Sequence, residues 1–138
     1  MRKVLIVDDD SESRETLATL VQLSMPGVET LLAASGFVGI ELALLHHPAA
    51  VVLDVEMPVC DGFEVAARIK ASMGGAAPTL IGTSGNVLRL EKGLAAGLFD
   101  HAVTKPILIA ELVRLLDQPG KPSHESGSKG KKDSAGNK

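Results

Sequence analysis

Five short apolar runs recur along the chain, and the segment after each one has the length and apolar spacing of a helix. The runs are rich in Val, Leu and Ile and occupy residues 3–7, 28–33, 50–53, 79–82 and 100–104. Continuous apolar runs of this length are typical of strands that are buried on both faces. Because parallel neighbours need a helical crossover, this alternation predicts a parallel sheet covered on both sides.

The intervening segments carry apolar residues at helical spacing and end at glycine or proline signals. They occupy residues 11–23, 37–46, 61–72, 86–96 and 107–116. Right-handed crossovers between parallel strands would wind these helices onto both faces of the sheet. The predicted fold class is therefore α/β, a doubly wound five-stranded parallel sheet with five helices in one domain at residues 1–118.

The last twenty residues differ in composition from the rest of the chain. Residues 119–138 contain no Leu, Ile, Val or Phe and are dominated by Gly, Ser, Lys and Pro, which predicts a flexible basic tail. Residues 1–118 hold 9 basic and 15 acidic residues, a net charge of −6, whereas the tail has a net charge of +3. An acidic body argues against direct nucleic-acid binding.

Several other classes of protein are disfavoured by composition. The three aromatic residues are all Phe, too few for a base-stacking platform. A single cysteine, Cys60, allows neither an intramolecular disulfide nor a cysteine metal cage. The apolar run after Met1 is too short for a signal peptide, and no run is long enough for a membrane span. We therefore expect a cytoplasmic protein without membrane contact.

Polar side chains gather at the carboxyl ends of the predicted strands, where ligands bind in such sheets. They are Asp8, Asp9 and Asp10 after the first strand, Asp54 after the third, Thr83 and Ser84 after the fourth, and Lys105 after the fifth. Two carboxylates about 4 Å apart repel by roughly 4 kcal/mol at an effective dielectric near 20, so converging acids need a lysine or a cation. Oxygen ligands on short loops favour Mg²⁺. Carboxylates, Mg²⁺, a hydroxyl and an ammonium together suit phosphoryl transfer, in which a carboxylate can be the nucleophile.

The residues that carry these features also carry a resemblance to a known family. VLIVDDD at 4–10, VVLDVEMPVCDG at 51–62, PTLIGTSG at 78–85 and TKP at 104–106 resemble the receiver domain of two-component response regulators. The resemblance covers about residues 2 to 117. It implies a flavodoxin-like strand order of 2-1-3-4-5 and a signalling module that catalyses only its own phosphorylation and dephosphorylation.

The resemblance implies a role for three of these side chains in accepting a phosphoryl group. Asp54 matches the aspartate that is phosphorylated, Thr83 the hydroxyl residue that contacts the phosphoryl group, and Lys105 the lysine that binds one of its oxygens. The Lys105–Pro106 bond matches one that is usually cis. The donor would be a phosphohistidine on a sensor histidine kinase or a histidine phosphotransfer protein, and the output would be contact with a downstream protein.

The resemblance also implies the ligands of a Mg²⁺ ion. Asp9 matches the direct acidic ligand, and Asp8 matches its partner in the acidic pocket. Asp54 and the backbone carbonyl of Glu56 would complete the set, and the Glu56 side chain would face the phosphoryl group, where it could tune hydrolysis. Asp10 is expected to be a solvated acid in the first turn of a helix.

Two positions depart from the family pattern. Ala102 stands where Tyr or Phe is usual, and Gly82 stands where a bulkier aliphatic residue is usual. We therefore expect phosphorylation to be signalled through movements of the loop and helix between Thr83 and Ala102, without a change of aromatic rotamer.

Two alternative functions are compatible with parts of the pattern. A haloacid-dehalogenase-type phosphohydrolase would use Asp8 and Asp10 as its acid pair, but Glu12 stands at the next position of that motif and the chain is short for the fold. An interaction scaffold that is not phosphorylated would need none of these residues, and it predicts no Mg²⁺ binding.

Overall fold

The computed structural model describes residues 2–118, and over these residues the chain forms a parallel sheet of five strands. The strands are β1 (Arg2–Val7), β2 (Val28–Ala33), β3 (Ala50–Asp54), β4 (Thr79–Ser84) and β5 (His101–Thr104). Their order across the sheet is β2-β1-β3-β4-β5, and every neighbouring pair is parallel. The predicted fold class and strand order are confirmed. The predicted tail at 119–138 lies outside the described residues.

Two strands extend further toward the site than their apolar runs predict. β3 includes Asp54, and β4 continues through Thr83 and Ser84. The backbone explains the extension, because Asp54 is in register with Thr83, and the Lys105 amide donates to the Ser84 carbonyl at 2.9 Å. The predicted strands stop where polar side chains begin. The backbone hydrogen bonds between the strands nevertheless continue through these polar residues.

In the described chain, four α-helices and one short 3₁₀-helix connect the strands, and a fifth α-helix follows β5. They are α1 (Ser11–Ser24), α2 (Gly36–His46), α3 (Gly62–Met73), α4 (Val87–Ala95), α5 (Ile109–Leu116) and the 3₁₀ turn Gly74–Ala76. The 3₁₀ turn was not predicted. α5 begins two residues later than predicted because Leu108 has an extended backbone and is the N-cap residue.

The side chains of alternate strand residues enter two separate hydrophobic clusters, one on each face of the sheet. Leu5 and Val7 of β1 pack into a cluster with residues of α2 and α3, whereas Val4 and Ile6 pack into a cluster with residues of α1 and α5. Burying both sets explains why these strands read as continuous apolar runs rather than as alternating patterns.

The two ends of the described chain lie close together, at the edge of the sheet where the strands begin. The Arg2 guanidinium donates a hydrogen bond to the carbonyl oxygen of Leu116. Residues near both ends line one shallow cavity, which includes Arg2, Val113 and Asp117. Among the described residues, none of the helices has the length and apolarity to cross a membrane.

Candidate functional site

Three carboxylates converge at the edge of the sheet where the strands end. One oxygen from each of Asp8, Asp9 and Asp54 lies within 4.8 Å of the others. Asp8 follows β1 and Asp54 ends β3, the central neighbour of β1, so the parallel register brings them together. Asp8 and Asp54 are buried, whereas Asp9 is exposed.

Asp10 does not belong to this group of carboxylates. Its side chain accepts a hydrogen bond from the Ser13 amide at 2.9 Å and is the N-cap of α1. Hydrogen bonds from the Ser13 hydroxyl and the Ser13 amide lower the pKa of Asp10 below its ordinary value. Asp10 is exposed, as predicted, but it is the N-cap residue of α1 and does not lie in the first turn of the helix.

Lys105 supplies the positive charge that the carboxylates require. Its Nζ lies 3.3 Å from Asp54 Oδ1 and 4.0 Å from Asp8 Oδ2. The lysine follows β5, and its backbone amide is fixed to the Ser84 carbonyl of the neighbouring strand. The Lys105–Pro106 peptide bond is cis, as the resemblance implied.

The Asp54 carboxylate has an altered protonation equilibrium in the absence of a cation. Burial raises the pKa of Asp54 to about 6, opposed by Lys105 and reinforced by the negative charge of Asp8. A buried acid with a raised pKa, beside a lysine and other acids, is typical of a functional site. A bound divalent cation would favour the ionised form of Asp54 by adding positive charge.

The segment after β3 is held tightly against the end of that strand. The Glu56 amide donates to Asp54 Oδ1 at 3.1 Å, and the Gly62 amide donates to the Val55 carbonyl at 3.1 Å. A Cβ on Gly62 would lie 2.7 Å from the Asp54 carbonyl oxygen. Glycine is therefore required at the start of α3 so that the helix can approach the phosphoryl-acceptor candidate.

Thr83 lies beside Asp54 on the neighbouring strand. The two residues are register partners in adjacent parallel strands, and both are buried. The Val55 amide donates to the Thr83 carbonyl at 3.0 Å, which ties the end of β4 to the segment after β3. The structure therefore brings together Asp8, Asp9, Asp54, Thr83 and Lys105, five of the seven polar residues predicted at this edge, whereas Asp10 caps α1 and Ser84 binds Glu56.

The donor set fits a hard divalent cation. All three clustered groups are carboxylates, and such oxygen ligands suit Mg²⁺ or Ca²⁺ rather than zinc. Few carboxylates on short loops are typical of Mg²⁺ sites that retain bound water. The participation of the Glu56 carbonyl stays a prediction.

The sequence pattern did not reveal a second polar network next to the carboxylates. Glu56 Oε2 accepts a 2.6 Å hydrogen bond from the Ser84 hydroxyl and lies 3.4 Å from Arg89 Nη1. Ser84 Oγ also accepts from the Asn86 amide, at the N-cap of α4. Chain spacing gives no sign of this contact, because 33 residues separate Glu56 from Arg89.

An aromatic ring occupies the space beside the two positions that depart from the family pattern. A Cβ on Gly82 would lie 2.6 Å from the Phe99 ring, and one on Gly93 would lie 2.4 Å from it. Ala102 packs against the same cluster, and Phe99 stacks on Phe63 with ring centroids 5.8 Å apart. Phe99 enters from the loop before β5, a placement that the two glycines make possible.

Comparison with known proteins defines the class of this molecule. Residues 4–117 match the response regulator receiver domain family. The chain therefore belongs to that family. Over 111 residues it is 36% identical to the transcriptional regulatory protein PrrA of Mycobacterium tuberculosis, an alignment that covers 80% of this chain and 46% of PrrA. The chain thus spans less than half the length of this curated relative.

Other relatives agree with this assignment. The response regulator MprA of a Mycobacterium species is 38% identical over 112 residues, covering 80% of this chain and 47% of MprA. The chemotaxis protein CheY4 of Vibrio cholerae has the same fold, with a TM-score of 0.73 and 25% identity over 84% of this chain and 96% of CheY4. The N-terminal domain of an uncharacterized Wolinella succinogenes protein also has this fold, with a TM-score of 0.73. It is 34% identical in sequence, over 85% of this chain and 92% of that domain.

Proposed function

We propose that this chain is the phosphoacceptor module of a two-component or phosphorelay system, with Asp54 as the residue that is phosphorylated. The observation that carries the proposal is the position of the Asp54 carboxylate, 3.3 Å from the Lys105 ammonium and in one cluster with Asp8 and Asp9. A carboxylate so placed can act as a nucleophile toward phosphorus while opposite charges stabilise the phosphoryl oxygens.

The proposed reaction exchanges a phosphorus–nitrogen bond for a phosphorus–oxygen bond. An oxygen of ionised Asp54 attacks the phosphorus of a phosphohistidine, the bond to the imidazole nitrogen breaks, and the imidazole leaves with the bonding electron pair and takes a proton from solvent. The product on this chain is an aspartyl phosphate. Hydrolysis by water would return the free carboxylate and inorganic phosphate.

The neighbouring groups of the chain would bind the phosphoryl oxygens. The Lys105 ammonium would pair with one oxygen, and the Thr83 hydroxyl would donate to another. Asp8, Asp9, Asp54 and the Glu56 carbonyl would hold Mg²⁺. When bound, Mg²⁺ would neutralise negative charge on the acids and on the phosphoryl group.

The proposed phosphodonor is a histidine-containing protein, which would approach along a groove beside the site. The groove has a volume of about 320 Å³ and is lined by Asp8, Lys105, Pro106 and residues of α1, including Leu17 and Leu20. The apolar part of this lining, which includes Leu17, Leu20 and Pro106, suits contact with a helix of a sensor histidine kinase or a phosphotransfer protein. The output would be contact with a downstream protein, with no direct binding of nucleic acid.

The test is phosphorylation of the purified chain with Mg²⁺ and a small phosphodonor such as acetyl phosphate. Intact mass should show one added phosphoryl group on wild type and none on Asp54→Asn. Labelling that persists in Asp54→Asn would refute the assignment of the acceptor. Asp10→Asn is the matched control, because Asp10 lies outside the carboxylate cluster and should be labelled like wild type.

The same preparation separates the alternative functions. A phosphohydrolase would turn over phosphate esters repeatedly, whereas a phosphoacceptor module would release at most the phosphate from its own Asp54. An interaction scaffold would show no Mg²⁺ binding in a calorimetric titration. Heat of Mg²⁺ binding that is lost in Asp9→Asn would support the proposed ligand set.

A further inference from the structure

Arg89 joins two carboxylates of the segment that follows Asp54. Its Nη1 lies 3.4 Å from Glu56 Oε2, and its Nη2 lies 3.8 Å from Asp61 Oδ2. The guanidinium also lies over the Phe63 ring, 5.1 Å from the centroid. Arg89 is in the first turn of α4, whose N-cap Asn86 accepts a hydrogen bond from the Arg89 amide. One side chain thus connects α4 to the segment between β3 and α3.

Glu56 is the partner through which Arg89 can affect Asp54. The Glu56 backbone donates to Asp54 Oδ1, whereas its carboxylate is bound by Ser84 and Arg89. The Glu56 side chain is 42% exposed, so packing alone does not fix its rotamer. Without Arg89, the Glu56 carboxylate would lose the positive charge that neutralises it. The Ser84 hydroxyl would then be the remaining one of these two side-chain contacts.

We propose that Arg89 is a positioning residue, which neutralises the Glu56 carboxylate and holds it away from the phosphoryl-acceptor site. This proposal rests on the proposed function of Asp54. A free carboxylate next to the site would repel an incoming phosphodonor and would attract a divalent cation. Arg89 therefore sets the balance between cation binding and access of the donor.

A purely structural role for Arg89 is the competing explanation. Exposed ion pairs contribute little to stability, and the Arg89 and Glu56 side chains are 36% and 42% exposed. The chain offers a matched control in Arg68, which lies 2.7 Å from Glu64 and over the Phe37 ring at 5.6 Å. Arg68 thus shares the two kinds of contact that Arg89 makes, with one carboxylate instead of two and one ring, and it has no contact with Glu56.

The experiment compares Arg89→Ala, Arg89→Lys, Glu56→Gln, the double variant Arg89→Ala/Glu56→Gln and the control Arg68→Ala. Mg²⁺ affinity is measured by calorimetric titration. The rate of Asp54 phosphorylation is measured against acetyl phosphate concentration at saturating Mg²⁺. Thermal melting reports whether each variant is folded.

In Arg89→Ala we expect the Mg²⁺ dissociation constant to fall and the half-saturating donor concentration to rise, each by roughly threefold for one partly screened charge. Arg89→Lys should keep most of the wild-type behaviour because it retains the charge. In the Glu56→Gln background, Arg89→Ala should have no further effect. Arg68→Ala should match wild type.

Two results would overturn the proposal. One is an effect of Arg89→Ala that persists in the Glu56→Gln background, since Arg89 would then act without Glu56. The other is equality of Arg89→Ala with Arg68→Ala or with wild type. Absence of phosphorylation in wild type would instead contradict the proposed function, and the Mg²⁺ titrations would still decide the role of Arg89.

Discussion

Replacement of Asp54 by Asn should stabilise the cation-free protein at neutral pH, although it removes a contact with Lys105. Burial raises the pKa of Asp54 from 3.8 to about 6, so ionising this group is less favourable in the folded than in the unfolded state. A rise of this size corresponds to about 3 kcal/mol of destabilisation by the ionised carboxylate. The Asn side chain has a similar shape and carries no charge, so it avoids the destabilisation caused by a buried ionised carboxylate.

The sign of the pH dependence follows from the raised pKa. The folded state binds the proton more tightly than the unfolded state does, so wild type loses stability as the pH rises from about 4 to about 6 and little more above that. The free energy of unfolding of Asp54→Asn should exceed that of wild type by about 3 kcal/mol at pH 8 and by less than about 1 kcal/mol at pH 4.

The measurement is urea unfolding in EDTA from pH 4 to pH 8, followed by far-ultraviolet circular dichroism because the chain lacks Trp and Tyr. Asp10→Asn is the control with the opposite sign. Hydrogen bonds from the Ser13 hydroxyl and amide lower the pKa of the exposed Asp10, so its contribution should favour wild type over most of this pH range and be lost mainly below pH 4.

A stability difference between Asp54→Asn and wild type that does not change from pH 4 to pH 8 would refute the reasoning, since burial of the ionised form could not be its cause. Saturating Mg²⁺ provides a second check. Because a cation bound only by the folded state adds stability, Mg²⁺ should stabilise wild type more than Asp54→Asn and should reduce the difference at pH 8.

Three further substitutions, two of them paired with a second variant, test the packing and the backbone conformation around the site by chemical denaturation. Gly62→Ala should destabilise by about 1–3 kcal/mol and weaken Mg²⁺ binding, because its Cβ would meet the backbone of β3, whereas Gly75→Ala has open space and should be neutral. Val59→Gly should stabilise by about 1 kcal/mol, because Val59 has a φ of 68° and is 90% exposed; a loss of stability would contradict this reading. Gly82→Ala should destabilise by about 1–3 kcal/mol, and Phe99→Leu should recover part of the loss if the Phe99 ring is the obstacle.

The fold could be predicted because the three central strands, β1, β3 and β4, are buried on both faces along most of their length. In β1, Val4 and Ile6 enter one cluster while Leu5 and Val7 enter the other, which leaves an uninterrupted apolar run in the sequence. The five polar side chains of the site could be predicted for a related reason. Parallel strands end at a common edge, so residues that follow the apolar runs must lie near one another.

Other features depend on contacts that spacing cannot specify. The position of the Glu56 carboxylate depends on its contacts with Ser84 and Arg89, which belong to β4 and α4. The Phe99 ring can lie over Gly82 because this position of β4 has no Cβ and because the loop before β5 directs the ring toward it. A late start of α5 reflects the backbone of Leu108, a residue without a capping side chain. Such details are set by tertiary packing rather than by local sequence preference.

The hydrogen bond between Arg2 and Leu116 brings the two ends of the described chain together, which has a consequence for fused domains and for protein engineering. The phosphoryl-acceptor candidate lies at the far end of the sheet, about 20 Å away along a six-residue strand. A domain fused after Gln118 would therefore be attached at the edge of the sheet remote from Asp54, about one strand length from the carboxylates. The same proximity makes the domain suitable for circular permutation, with a short linker joining the two ends and new termini opened in an exposed loop.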